Sequence, residues 1–145
     1  MMLALVRPDS WNLPLFLHVL GATVLTGAVA ATAIAASKSG ASLMLRQVAF
    51  RTILFLVIPG WILMRVAGEW TNSREDIPGD PGWLGTGYIV GDAGLIIVLL
   101  SVIFGWLSVR KPDRGWPART VAALALLYLA ALLVAMFAMS GKPGT

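Results

Sequence analysis

Cysteine is absent from the 145 residues, histidine occurs once, and charge is scarce, with Lys, Arg, Asp and Glu together making up 12% of the chain. The first absence excludes disulfides, thiolate nucleophiles and cysteine-ligated zinc or iron–sulfur centres. The second excludes any site built from two imidazoles of one chain. The third excludes an ordinary soluble domain, which carries roughly 25% charged residues. Phosphate loops, dinucleotide fingerprints, the HExxH helix and a Ser-His-Asp set are missing as well. With no catalytic set in view, the chain reads as non-enzymatic.

What is present is apolar. Hydrophobic residues make up 58% of the chain and the mean hydropathy is +0.82. Four runs stand out, at about 11–36, 48–67, 88–109 and 118–139. Each is close to the ~20 residues that cross a ~30 Å hydrocarbon core. The first run is longer than the roughly 7–15 residues of a signal-peptide core and lacks a strong basic lead, so it too is expected to span. The expected fold is all-α, a four-transmembrane-helix bundle forming one membrane domain.

The basic residues orient it. Lys38, Arg46 and Arg51 lie around the first connection and Arg110, Lys111, Arg114 and Arg119 around the third. Arg7, Arg65, Arg74 and Lys142 belong to the opposite face, mixed with acids. Positive residues favour the cytoplasmic side, so both termini are expected outside and the first and third connections in the cytoplasm. The formal charge of +4 is therefore a topology signal, and nucleic acid is not an expected partner. The segment 68–87, "GEWTNSREDIPGDPGWLGTG", is expected as a turn-rich outer loop, with Trp70 and Trp83 at headgroup level as its interface.

Packing signals concentrate in the first span. Gly21, Ala22, Gly27, Ala28, Ala31 and Ala35 run along it, with Gly27 and Ala31 at small-xxx-small spacing, so this helix is expected at the centre of the bundle. In the fourth span Tyr128 is the only polar group at mid-depth. Pro59 withholds an N–H from the Phe55 carbonyl and is expected to bend the second span.

Ionisable residues collect near one depth. At ~1.5 Å per residue, His18 falls about 10 Å below Trp11, Arg65 about 6 Å below Glu69, and Asp92 about 6 Å below Tyr88. Buried charges face the bundle and pair, so His18, Arg65, Glu69 and Asp92 form an expected polar cluster, with Arg65 pairing Asp92 or Glu69. Arg65 could instead snorkel to the headgroups, and Asp92, after Gly91, could cap its helix.

His18 admits two readings. It can hydrogen-bond to Asp92 or a backbone carbonyl of a neighbouring helix. It can also ligate a cofactor, since neutral imidazole suits haem and copper and four-helix bundles host such groups. Haem b would then need a methionine as second ligand, an open position or a shared dimer site. Copper would draw on Met64, Met136 or Met139, which serve equally as packing residues.

The segments "LHVLGA", "PGWILMR", "GYIVGDAGL" and "AMSGKP" resemble an uncharacterised family of small four-helix integral membrane proteins of actinobacteria and related bacteria. That resemblance implies a multi-pass protein of the bacterial plasma membrane, with no assigned activity. "LHVLGA" alone is also similar to the first helix of copper-resistance D-like proteins and of HemJ-type membrane protoporphyrinogen oxidases, where a first-helix histidine is associated with copper or haem. This resemblance carries over to His18 only. The chain departs from both groups in having no second histidine and no lysine within a span.

Three functions follow as expectations. The leading one is a structural or accessory subunit of the bilayer whose polar cluster meets a membrane protein partner or a second copy. The alternative is a haem- or copper-binding redox protein centred on His18. The third is a small transporter or proton path through Asp92, Arg65 and His18.

Overall fold

A computed structural model describes residues 9–75 and 82–141. Five α-helices, α1 (Asp9–Ser37), α2 (Leu43–Thr52), α3 (Ile58–Glu75), α4 (Gly82–Arg110) and α5 (Trp116–Gly141), are joined by one π-helical segment, Ile53–Val57, that makes α2 and α3 a single span. Four spans result, each long and apolar enough to cross a membrane. No strand occurs among the described residues. Large apolar side chains face outward on every span, among them Phe16, Phe55, Ile96 and Phe137. Such a surface needs lipid as its solvent, and the chain is a multi-pass helical bundle of membrane type.

Two ends can be distinguished. The hairpin end carries the α1–α2 and α4–α5 connections, and the terminal end carries the start of α1, the end of α3, the start of α4 and the end of α5. Gly40, with φ +46°, makes the turn between α1 and α2, and the Ser42 hydroxyl accepts from the Leu45 N–H to cap α2. Arg46, one of the basic residues around the first connection, is buried. Its Nη1 lies 3.0–3.1 Å from the carbonyls of Ser108, Pro112 and Arg114, while Nη2 and Nε reach the Gly40 carbonyl at 2.6 and 3.2 Å. One guanidinium thus ties both connections together through backbone oxygens.

The π segment answers the proline. The Ile58 N–H reaches back five residues to the Ile53 carbonyl, which widens the turn just before Pro59. A proline ring clashes with the carbonyl four residues earlier, and the wide turn relieves that crowding.

Helix α1 packs on both α3 and α5, and α4 packs on α5 and α2, whereas α3 and α4 scarcely meet. Leu25, Val29, Val57, Val98, Tyr128 and Leu132 form the mid-bundle core. Small residues, Ala35, Ala36, Ala49 and Ala122, close the hairpin end. The expected contact through Gly27 and Ala31 is not made. Both face outward, and a Cβ at Gly27 would meet nothing within 4 Å. Gly21 and Gly60 carry the close approach instead, Gly21 against the Met64 backbone and Gly60 against Leu25. The hydroxyls of Thr23, Thr26, Thr32 and Thr71 satisfy themselves on carbonyls four residues back, the local bond open to a hydroxyl within a helix.

The expected outer loop is mostly helix. Helix α3 runs to Glu75 and α4 begins at Gly82, so only 76–81 fall between them, outside the described residues. Hydropathy marks where hydrocarbon ends; a helix continues past that border while its residues tolerate helical backbone.

Candidate functional site

The scarcity of contact between α3 and α4 leaves the terminal half of the bundle open inside. A chamber of about 570 Å³ lies there, open to the bundle surface beside the exposed Val19 and Phe137 and lined from α1, α3, α4 and α5, with His18, Thr26, Met64, Arg65, Tyr88 and Met136 on its walls. Its remaining lining is largely apolar, including Val90 and Leu132.

His18 is fixed by α3. Its Nδ1 donates to the Met64 carbonyl at 2.8 Å, since a carbonyl can only accept. The ring fits because Gly68 has no side chain; a Cβ there would stand 2.9 Å from Nδ1. Gly21, one turn along α1, brings the two backbones together at the same place, where its Cβ would lie 2.8 Å from the Met64 Cα. In the neutral ring the remaining lone pair is on Nε2. The sequence alternatives for a hydrogen bond were Asp92 or a carbonyl, and the structure has the carbonyl.

Arg65 serves two acids at once. Nε bonds the Asp92 carboxylate at 2.9 Å and Nη1 bonds Glu69 one turn along α3. The guanidinium also lies over the Tyr88 ring, 4.9 Å from its centroid, and its stem passes Gly91. Asp92 does not cap α4, which begins ten residues earlier at Gly82. The side chains of Glu69 and Asp92 are 53% and 63% exposed, so they sit on the flank of the bundle and not within the chamber. The expected cluster therefore divides, with His18 and Arg65 on the chamber wall and the two carboxylates outside it.

The methionines also separate. The Met136 sulfur lies 3.9 Å from the Thr26 hydroxyl on α1, the Met139 sulfur packs on Gly87 of α4, and Met64 belongs to α3. All three line the chamber with His18, Met64 from α3 and Met136 and Met139 from α5. No group of three His, Cys, Asp or Glu side chains suited to a metal occurs among the described residues. Trp70 is partly exposed near the end of α3. Trp83 lies in the first turn of α4, and its side chain lies outside the described residues, as do Arg7, Asp76, Asp80 and Lys142.

Three contributors went unread in the sequence. Trp61 donates its indole N–H to the Gly91 carbonyl at 2.8 Å and is a main tie between α3 and α4. A buried indole N–H needs an acceptor, which was a usable signal. Tyr88 supplies the ring under Arg65. The glycines Gly87, Gly91 and Gly94 of "GYIVGDAG" each admit one neighbour, the Met139 sulfur, the Arg65 stem and the Tyr128 hydroxyl.

No family model, curated protein or solved structure matches the chain. The resemblances drawn from its short motifs rest on those residues alone.

Proposed function

We propose that the chain is a cofactor-holding membrane subunit that would take haem b, or a planar lipophilic group of that size, in the terminal-end chamber, with His18 as the residue that would hold it. The observation that carries this reading is the commitment of Nδ1 to the Met64 carbonyl. A ligating imidazole almost always gives its other ring N–H to a carbonyl or carboxylate, which fixes the tautomer and raises the basicity of the ligating nitrogen. The chamber volume of about 570 Å³ lies within the roughly 300–1,000 Å³ of cofactor and small-molecule sites. A bound haem would supply one-electron chemistry. The chain's own residues would do the holding: His18 would orient the group, Met64 and Leu132 would exclude water, and the Met64 carbonyl would keep the imidazole in place in the room that Gly68 leaves. Copper fits less well, because the Met136 and Met139 sulfurs, both on α5, are engaged by the Thr26 hydroxyl and packed on Gly87 respectively, while Met64 stands on α3.

A second reading, an accessory subunit without cofactor, rests on a different observation. Glu69 and Asp92 expose half or more of their side chains on the flank of α3 and α4, where a partner helix or a second copy would cover them. Both readings put the protein in a bacterial plasma membrane with the terminal end outside, in line with the basic residues at the hairpin end.

The test is the visible spectrum of detergent-purified protein, oxidised and reduced, beside His18→Ala. A Soret band lost with His18 supports the haem reading. A colourless, metal-free preparation that, on addition of haemin, gives only the spectrum of free haemin in detergent, with no His18-dependent shift of the Soret band, overturns it and leaves the accessory reading.

A further inference from the structure

The hairpin end holds a second surface, of opposite character to the chamber. Seven basic residues lie at or near it against one acid, Asp113. Arg46 is buried and held by carbonyls alone, so no carboxylate offsets its charge. Lys38, Arg110, Lys111, Arg114 and Arg119 are exposed. Among the described residues the ion pairs are those of Arg65 with Glu69 and Asp92, both at the other end. Among the described residues, then, no ion pair neutralises the basic residues of the hairpin end.

Its depth is set by geometry. The two connections cover only 38–42 and 111–115 between helices that end beside them, too short to carry the cations away from the bundle. Two indoles stand at the same level, Trp106 and Trp116, each about half exposed. The Arg110 guanidinium lies 5.2 Å from the Trp106 centroid, and Phe104 meets Trp116 edge-on at 5.8 Å, so both rings are held in position. Exposed indoles mark the headgroup layer, and cations fixed in that layer attract acidic headgroups. The Arg46 clamp matters here because it turns the carbonyls of Pro112 and Arg114 inward, which pins the connection that carries Lys111 and Arg114.

We infer that the hairpin end is a binding surface for anionic phospholipid headgroups, formed by Arg110, Lys111, Arg114 and Arg119 with Trp106 and Trp116. The occupant is a bilayer lipid with a phosphodiester and no compensating amine, such as phosphatidylglycerol. A soluble acidic protein would need charges that project from the membrane, and these do not. The surface is independent of the chamber and of whatever the chamber holds.

Spin-labelled lipids test it. The protein is reconstituted in phosphatidylcholine vesicles and the motionally restricted fraction of labelled phosphatidylglycerol is compared with that of labelled phosphatidylcholine. The expected result is a preference for the anionic label on the order of three-fold at low salt, weakened at high salt as screening requires. Arg110→Gln and Arg114→Gln each lower it, and the pair with Arg119→Gln brings it close to unity. Inorganic phosphate at matched ionic strength lowers it no more than chloride does, which separates a headgroup in the bilayer from a free anion. Equal restriction of both labels by the unaltered protein overturns the inference. So does a preference that survives the single and triple substitutions, or one that phosphate abolishes selectively.

Discussion

His18 and Met64 are joined across α1 and α3 by a 2.8 Å hydrogen bond from Nδ1 to a backbone carbonyl. That bond separates the two jobs an imidazole can do here. Nδ1 is used for packing, and the proposed ligand role would fall to Nε2. A substitution that keeps the first job and removes the second can tell them apart. Asparagine does this, because its amide N–H₂ reaches a position close to that of Nδ1. His18→Asn is expected to keep the thermal midpoint within a few degrees while abolishing any haem absorbance. His18→Ala is expected to lose both, with a stability cost of roughly 1–2 kcal/mol for the unmade bond and lost packing. Parallel melting curves and visible spectra of the two variants check this, and retention of the spectrum in both sinks the ligand role of His18.

Gly68 should tolerate nothing larger. Its missing Cβ is the space in which the His18 ring stands, and neither the α3 backbone nor the imidazole can move without breaking the bond to Met64. Gly68→Ala is expected to cost about 1–3 kcal/mol through overpacking and to weaken ligand binding along with stability. Gly27→Ala, at a glycine with open space around it, is the control and should stay within about 0.5 kcal/mol of the parent. Chemical denaturation in detergent compares the two. Equal costs would remove the argument that Gly68 shapes the site.

The shared guanidinium predicts an asymmetric double-mutant cycle. Asp92→Asn leaves Arg65 paired with Glu69 and should cost under about 1 kcal/mol, as exposed ion pairs do. Arg65→Met strands two carboxylates and should cost more. Combining it with Asp92→Asn recovers part of that loss, and adding Glu69→Gln recovers the rest. Additive losses at every step would show that the three groups do not interact.

How much of this was legible beforehand follows the physics of each signal. The four spans were readable because hydrocarbon demands long apolar runs. Helix ends were not, because residues such as Glu69 and Trp70 leave the hydrocarbon without leaving the helix. The Arg65 pairing was readable from depth alone, since both acids lie within reach of one long side chain. The pairing of glycines with their neighbours was not readable. Gly27 and Gly21 look alike in sequence, and only the rotation of α1 decides that Gly21 meets Met64 while Gly27 faces outward. The burial of Arg46 was not readable for a related reason. A basic residue beside a loop looks like a solvated topology marker until the second loop is seen to turn its carbonyls toward it.

Arg46 accordingly behaves as a structural residue. Its removal leaves the carbonyls of Gly40, Ser108, Pro112 and Arg114 without their shared donor. Unsatisfied polar groups cost ~1–3 kcal/mol each when buried, and some of these can rehydrate so close to the membrane border. Arg46→Met is expected to destabilise by roughly 2–4 kcal/mol. Arg46→Lys should recover only a part, because an ammonium cannot span both connections. Salt should leave the loss nearly unchanged, since the group is buried. Denaturant melts at low and high ionic strength measure it, and a loss that disappears with salt would mean that Arg46 acts as a surface charge.

Orientation can be tested at two exposed positions chosen from the structure. Ser39 is an unsuitable reporter, being 3% exposed with its hydroxyl on the Ala36 carbonyl, so a thiol there would escape labelling on either side of the membrane. Ala41, two residues on, is exposed at the hairpin end, and Ser73 is exposed at the terminal end. The chain has no cysteine of its own, so each introduced thiol is the only one. With the basic residues inside, Ser73→Cys should react with a membrane-impermeant maleimide in intact cells, and Ala41→Cys should react only after the membrane is opened. The reverse pattern would place the chamber mouth on the cytoplasmic side. It would also show that the basic charge of the hairpin end does not set the topology of this chain.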